Sequence, residues 1–249
     1  MKPLISVKDL VMTIGDQKIL QGFSLDVMKG ETMVLLGKSG GGKSVFLRNL
    51  IGLMKPQSGT IIFDEQDLVP LSERELTPVR KKIGMMFQDG ALFDSMNVFD
   101  NVAFPLRERG ERDEALVARL ATQSLRLVNM TGHEHKMPIE LSGGMRKRVA
   151  LARATISPPD VLLYDEPTAG LDPIVSDSIN KLIRRLQREL HVTSIVVTHD
   201  MTSCFHVADR VALLNNGQCY FCGTTEELKN CDDPVIKNFV EGRATEEQI

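Results

Sequence analysis

No run of eighteen apolar residues occurs anywhere in the 249-residue sequence, so nothing in it reads as a membrane-crossing helix. A strong charge of either sign is also missing. The 30 Lys and Arg against 33 Asp and Glu leave a formal net charge of −3, which argues against a protein that grips nucleic acid non-specifically. Basic residues do cluster at Arg80-Lys81-Lys82 and Arg146-Lys147-Arg148, and such runs read as solvated helix faces. No internal repeat is visible. The start, Met1-Lys2 followed by mixed Pro3 to Asp9, lacks the apolar core and cleavage site of a signal peptide. The expected location is therefore the cytosol, or the cytosolic face of a membrane. Cysteine is scarce: Cys204, Cys219, Cys222 and Cys231 all lie after residue 200. Cys219-Tyr220-Phe221-Cys222 has the spacing of redox and zinc sites. A structural zinc would need two more ligands, and Cys204, His206 and Cys231 are irregularly spaced for that. Reduced thiols on neighbouring strand positions are the simpler reading.

What the sequence does hold is Gly37-Lys38-Ser39-Gly40-Gly41-Gly42-Lys43-Ser44, which fits the pattern G-x-x-x-x-G-K-[ST]. Apolar Thr32 to Leu36 before it reads as a buried strand, and Val45 to Ile51 after it has helical spacing. The glycines let backbone N–H groups curl round a β-phosphate, and the helix N-terminus adds partial positive charge. Lys43 is placed to reach the β- and γ-phosphates, and Ser44 to offer its hydroxyl to Mg²⁺. Nucleoside triphosphate binding is the expectation.

Ahead of this loop, Ile5–Val7, Leu10–Ile14 and Ile19–Val27 read as short strands of an antiparallel region, punctuated by Gly15-Asp16 and Lys29-Gly30. Thr60–Phe63 and Ile83–Gln88 are further strands, the second entered from Leu76 to Lys82. From Asp89 to Ile156 the character turns helical. Asp113 to Val128 carries Val117, Leu120, Ala121 and Val128 on one face, and Leu141-Ser142-Gly143-Gly144 opens a helix running from Met145 to Ala154. Val161–Tyr164, a wholly apolar strand, and Thr193–Thr198, an apolar one, lie on either side of a helix, Val175–Leu190. Strands buried on both faces and alternating with helices predict an α/β fold with a mostly parallel sheet, the helical stretch being inserted in it.

Three candidate groups fall at strand ends, where open α/β sheets place their ligands. Asp165-Glu166 follows Val161–Tyr164. Asp165 suits holding Mg²⁺, and Glu166 suits orienting and polarising an attacking water. His199 could donate to a γ-phosphate oxygen. Gln88 could touch Mg²⁺ or the water.

The phosphate loop, Gln88, Leu141-Ser142-Gly143-Gly144, Val161 to Glu166, Gly170-Leu171-Asp172 and His199 occur in an order and spacing that resembles an ABC-transporter ATPase subunit over nearly the whole chain. The resemblance implies a phosphate-loop NTPase fold of the ABC type in one domain, residues 4–242. Residues 4–88 and 157–230 would form the ATP-binding core, 89–156 a helical signature subdomain, and 231–249 a C-terminal extension with a polar tail from Arg243 expected to be disordered. It also implies ATP and Mg²⁺ as ligands, with Ser44, Gln88 and Asp165 around the metal and Glu166, His199 and Gln88 as the catalytic set. The signature Leu141, Ser142, Gly143, Gly144 and Met145 would face the γ-phosphate held by a second copy of the chain. Asp172 resembles the residue that couples the two sites across such an interface. Two positions depart from the pattern. The signature usually continues with Gln, where this chain has Met145. Many relatives stack an aromatic on adenine at the position of Ile14, and its loss removes a contact worth ~1 kcal/mol.

In this family the segment after Gln88 lines a groove for the permease's coupling helix, and apolar Leu92, Phe93, Met96, Val98 and Phe99 suit one, with core packing claiming a share. This stretch, the Leu-Ser-Gly-Gly-Met element and the ending Asp232 to Gly242 resemble the ATPases of Mla/Mce lipid-transport systems. That implies movement of phospholipid or related lipid between envelope membranes, an integral permease, an MCE-domain lipid carrier, a STAS-domain protein in some systems, no nucleic acid partner, and a place on the cytoplasmic face of the inner membrane. The ATPase of a small-solute importer shares every catalytic motif, and a soluble ATP-dependent switch stands as a third reading.

Overall fold

The structure is a computed structural model that describes residues 2–243. The expected disorder of the tail therefore falls, from residue 244 on, outside the described residues. Two sheets organise the chain. The first is antiparallel, in the order β2-β1-β4-β5, from strands β1 (Ile5–Ile14), β2 (Gln17–Val27), β4 (Ser58–Phe63) and β5 (Gln66–Asp67). The two short strands expected at Ile5–Val7 and Leu10–Ile14 are one strand. Register shifts between Val7 and Leu10 bend it, with Asp9 in the left-handed region at φ 50°, and this irregularity is what the sequence reads as a break.

The second sheet runs β10-β9-β3-β8-β7-β6. Its parallel strands are β3 (Thr32–Leu36), β6 (Ile83–Met86), β7 (Val161–Asp165), β8 (Thr193–Thr198) and β9 (Arg210–Asn215), and β10 (Gln218–Gly223) closes the edge antiparallel to β9. Alternation explains the unbroken hydrophobic runs. Val34, Leu36, Leu162, Tyr164 and Val196 bury on one side, while Met33, Leu35, Val161, Leu163 and Ile195 bury in a separate cluster on the other. Each strand therefore supplies two cores.

The antiparallel sheet packs on the second side with helices α1 (Lys43–Leu50) and α2 (Glu73–Arg80). Phe23 meets Phe46 with ring centroids 5.0 Å apart. Helix α2 occupies the lead-in expected to Ile83 and starts at Ser72, whose N–H donates to Glu75 at 2.9 Å. The chain between β6 and its neighbour β7 forms α3 (Val98–Glu108), α4 (Glu114–Leu127) and α5 (Gly143–Thr155). Asp113 caps α4 by accepting from the N–H groups of Ala115 and Leu116. Helix α6 (Pro173–Leu190) begins two residues earlier than its apolar pattern, because Asp172 caps it and Pro173 fits the first turn. Helix α7 (Met201–Val207) follows β8, and α8 (Thr225–Lys229) and α9 (Pro234–Val240) end the described chain. The sequence pattern does not announce these short helices.

One expectation is overturned. Arg146-Lys147-Arg148 is not wholly a solvated face: Arg146 is exposed and Arg148 half-buried, but Lys147 is 5% exposed. Its position on α5 turns it into the protein, below the end of β7.

Candidate functional site

The phosphate loop leaves β3 at Gly37 and enters α1 at Lys43. Gly42 lies at φ 101°, and a Cβ there would sit 2.8 Å from Ile19 Cγ2, so no side chain fits between the loop and β2. Gly37 is equally confined, by the carbonyl oxygen of Leu214 at 2.9 Å from a built Cβ. Lys43 is 5% exposed and folds back over its own loop, with Nζ donating to the carbonyls of Gly37 at 2.8 Å and Lys38 at 3.0 Å.

Parallel pairing of β3 with β8, and of β8 with β7, brings the strand ends to one edge. Ser44 Oγ donates to Asp165 Oδ1 at 2.8 Å. Glu166 Oε1 lies 3.3 Å from Lys43 Nζ, and Glu166 Oε2 lies 3.1 Å from His199 Nδ1. Glu166 adopts φ 46°, unusual for a residue with a side chain, and its N–H donates to the carbonyl of Val197 at 3.0 Å. Burial raises the Asp165 carboxyl above its ordinary value, against the opposing bond from Ser44, and the nearby Glu166 charge raises it further.

A cleft of about 190 Å³ is lined by Ser39 to Val45, Ile19, Gln88, Glu166 and His199. Of the residues expected to touch nucleotide or metal from within one chain, Ser39 to Ser44, Gln88, Glu166 and His199 line this cleft, Asp165 joins it through Ser44, and Gly37 and Lys38 are tied to it only by the bonds from Lys43. A larger cleft of about 640 Å³ shares Glu166 and His199 and continues along Gly170, Leu171 and Pro173 to α6 and α7. Asp172 flanks it as the cap of α6, accepting from the N–H groups of Ile174 and Val175 at 3.0 Å.

Leu141 to Met145 is not part of the first cleft. Ser142 caps α5, accepting from the Met145 N–H at 3.3 Å. Gly144 presses on α6 so closely that a Cβ would lie 2.5 Å from Val175 Cγ1. Ile14 stands 46% exposed at the β1–β2 turn and is not part of the phosphate-loop cleft either, whereas Ile19, unremarked in the sequence, is. Sequence reasoning also missed the turn Asn215 to Gly217, which lines a second hollow beside Lys38, Gly40 and Gly41. Of the apolar residues after Gln88, Val98 belongs to the core at 0% exposure, while Phe93 is 40% exposed with Leu92, Met96 and Phe99 partly covered. Cys219 and Cys222 have no companion ligands: among the described residues no group of three or more His, Cys, Asp or Glu could hold a metal ion. No helix among those residues is long and apolar enough to cross a membrane.

Comparison with known proteins bears on this site. Residues 20–169 match the family model described as ABC transporter. The chain is 42% identical to the intermembrane phospholipid transport system ATP-binding protein MlaF of Haemophilus influenzae, over 97% of this chain and 91% of that protein. It is also 42% identical to a probable ribonucleotide transport ATP-binding protein of Mycobacterium leprae, over 96% of this chain and 69% of that one. Among solved structures it resembles CbiO1 of Clostridium perfringens, part of an ABC transporter complex (TM-score 0.85, 31% identity, 96% of this chain and 95% of that chain). It also resembles the ATP-binding cassette MJ0796 in a dimeric post-hydrolysis state bound to ADP and Pi (TM-score 0.81, 30% identity, 88% of this chain and 98% of that chain). With the phosphate loop, the carboxylate pair and the histidine gathered at one sheet edge, this chain belongs to the ABC-transporter ATPase family and is an ATP-binding subunit of an ABC transporter.

Proposed function

We propose that two copies of this chain hydrolyse ATP to drive an integral permease that moves phospholipid or a related lipid between the inner and outer envelope membranes. The observation that carries the hydrolytic part is the placement of Glu166, Lys43, Ser44, Asp165 and His199 around one cleft. Lys43 and the loop N–H groups bind the phosphates, and Lys43 exchanges its bond to Glu166 for one to phosphate. Glu166, so released, accepts a proton from the attacking water. His199 fixes that carboxylate and donates toward the γ-phosphate. A hydroxyl and a carboxylate in contact are hard oxygen donors, so Ser44 and Asp165, with Gln88, fit Mg²⁺, which would neutralise phosphate charge when bound.

Pairing of two copies is supported by the incomplete site: the signature Leu141 to Met145 is absent from the chain's own cleft, so a second copy would have to supply it. Asp172, beside the larger cleft, would then relay between the two sites. The dimeric state of MJ0796 is consistent with this arrangement. Exposed Phe93 is the residue best placed to receive a permease helix. The protein would sit on the cytoplasmic face of the inner membrane, with an MCE-domain lipid carrier and a STAS-domain protein as further partners. The lipid reading rests on likeness to MlaF over 97% of the chain. The equal identity to a protein named for ribonucleotide transport favours, as a second reading, import of a polar solute.

Purification of the tagged subunit from native membranes in mild detergent tests both. Recovery with a permease, an MCE-domain protein and bound phospholipid, with turnover responding to phospholipid, is the expected outcome. A soluble solute-binding protein and no enriched lipid would establish the second reading.

A further inference from the structure

Lys147 lies on the first turns of α5, five residues beyond the capping Ser142, and is 5% exposed. Among the described residues its ammonium forms no ion pair within 4.0 Å. It donates instead to two main-chain carbonyls, those of Gln88 and of Glu166, the second at 3.2 Å. Burial pushes its amino group below the ordinary lysine value, and the facing charges of Asp89, Asp165 and Glu166 oppose that shift. A buried cation is costly unless it is fully hydrogen-bonded. Its acceptors here belong to two residues of the proposed catalytic set.

The second of those carbonyls has a special need of support. Glu166 holds φ 46°, a conformation that costs a side-chain-bearing residue of order 1–3 kcal/mol unless its surroundings impose it. Three bonds impose it here: its N–H donates to the carbonyl of Val197, and its own carbonyl accepts from the Ala169 N–H at 3.2 Å and from Lys147. The same backbone turn aims the carboxylate at Lys43 and His199. Arg153, further along α5, extends the grip on the segment after Gln88, donating to the carbonyls of Gly90 and Ala91 at 2.7 Å each. Gly90 itself packs on α5, its hypothetical Cβ being 3.5 Å from Ala150 Cβ.

We propose that Lys147 is a positioning residue that joins three parts of the motor, the signature end of α5, the segment beginning at Gln88, and the backbone of Glu166, so that they shift as one unit. This rests on the reading of Glu166 as the residue that activates water. A permease helix pressing on the segment after Gln88 would move that carbonyl. Lys147 would carry the displacement both to α5, where Ser142 meets the opposite copy, and to the turn that orients Glu166. The lever is one side chain long.

The test uses the complex purified with its own membrane partners, carrying Lys147→Met, Lys147→Arg or Lys147→Gln, with Glu166→Gln prepared in parallel. Turnover and KM for ATP are measured alongside the affinity for a fluorescent ATP analogue. Lys147→Met is expected to lower kcat by about tenfold to a hundredfold, with KM and analogue affinity within about threefold of the parent. Lys147→Arg, which keeps a cation with several donors, should recover most of the rate. Should the Met variant fail to assemble, Lys147→Gln, with a neutral amide that can still donate to both carbonyls, is expected to fall between parent and Glu166→Gln. Full turnover in Lys147→Met overturns the proposal. So does equal impairment in Met and Arg variants, or loss of nucleotide affinity in step with rate. A Glu166→Gln complex that still turns over would instead remove the reading of Glu166 on which the proposal stands.

Discussion

Glu166 lies between Lys43 and His199, one carboxylate oxygen 3.3 Å from the lysine and the other 3.1 Å from the histidine. The carboxylate thus lies against the lysine that phosphates would take, and both side chains of that pair are at most 10% exposed. On the proposed mechanism, ATP exchanges this contact for one between Lys43 and phosphate and so frees Glu166 for water. The first prediction follows from that competition. Glu166→Gln should lower turnover by at least about a hundredfold while nucleotide affinity stays equal or tightens. Single-turnover hydrolysis and analogue titration on the same preparation check it, and weakened binding would mean that Glu166 assists the phosphates rather than competing with them.

Asp165→Asn separates stability from activity. Burial holds the Asp165 carboxyl above its ordinary value of 3.8, so the folded state binds its proton more readily than the unfolded chain. The contribution of this group is therefore favourable at low pH and is lost as pH rises through the raised folded value. Where the group is ionised, its burial is a net cost. The Asn variant, still able to accept from Ser44, should melt higher than the parent, by roughly 2–4 °C for each kcal/mol gained in a chain of this size. Its turnover should collapse. Melting curves of both proteins at descending pH decide it, since the gap should narrow toward acid.

Gly84→Ala probes the seating of α5. A Cβ on Gly84 in β6 would lie 2.4 Å from the carbonyl oxygen of Ala154 and 2.7 Å from Leu162 Cδ2. The carbonyl is main chain and cannot rotate aside, so β6 and α5 must separate. A loss of about 1–3 kcal/mol is expected. Denaturant unfolding measures it. An unchanged midpoint would show that the helix gives way without cost.

Phe93→Glu tests the docking surface. Phe93 is 40% exposed, with its ring tilted against Phe104 at a centroid distance of 4.6 Å and the Arg153 guanidinium 6.0 Å from its centroid, so part of its surface stays open among the described residues. The charge should reduce co-purification of the permease several-fold while the melting temperature of the isolated subunit changes little. Val98→Glu, in contrast, would place a charge in the core and unfold the helical region. Normal assembly of the Phe93 variant would move the permease contact elsewhere.

Cys222 should be the most reactive thiol. Cys219 and Phe221 pair with the adjacent residues Leu214 and Leu213, so Tyr220 is an extra residue in β10 and the bulge alters the normal alternation between the two thiols. The bond from Cys219, with Arg210 donating to Cys222 Sγ at 3.1 Å, lowers the Cys222 thiol below its ordinary value. Burial pushes Cys204 up to about 12. Alkylation followed by mass spectrometry should therefore mark Cys222 well before Cys204 at neutral pH, and Arg210→Met should slow it. Equal rates would remove the guanidinium from this role.

Much of the candidate site is legible in the sequence because it is written in short segments whose conformation is local. Gly37 to Ser44 needs only its glycines and the strand and helix that flank it. Asp165, Glu166 and His199 each follow a run of apolar residues that can only be a buried strand, and parallel pairing then brings such strand ends together. Lys147 is not legible that way. It sits between two arginines in a helix, where sequence can only suggest solvent, and its burial depends on β6 and β7 lying side by side beneath α5. Ile14 and Ile19 show the same limit. Both are β-branched residues near a turn, yet only Ile19 reaches the phosphate loop, because the twist and register of β1 and β2 decide which of them faces Gly42.

Residue type and spacing within a few turns or strand lengths suffice for the phosphate-loop motif, the long buried strands and the family. Long-range packing is what sets Glu166 against Lys43, makes Val98 core and Phe93 surface, and turns a lysine in a basic run into a buried tie between two carbonyls. Those facts are distances between segments far apart in the chain. They are fixed by packing against both faces of one sheet, and no local preference encodes them.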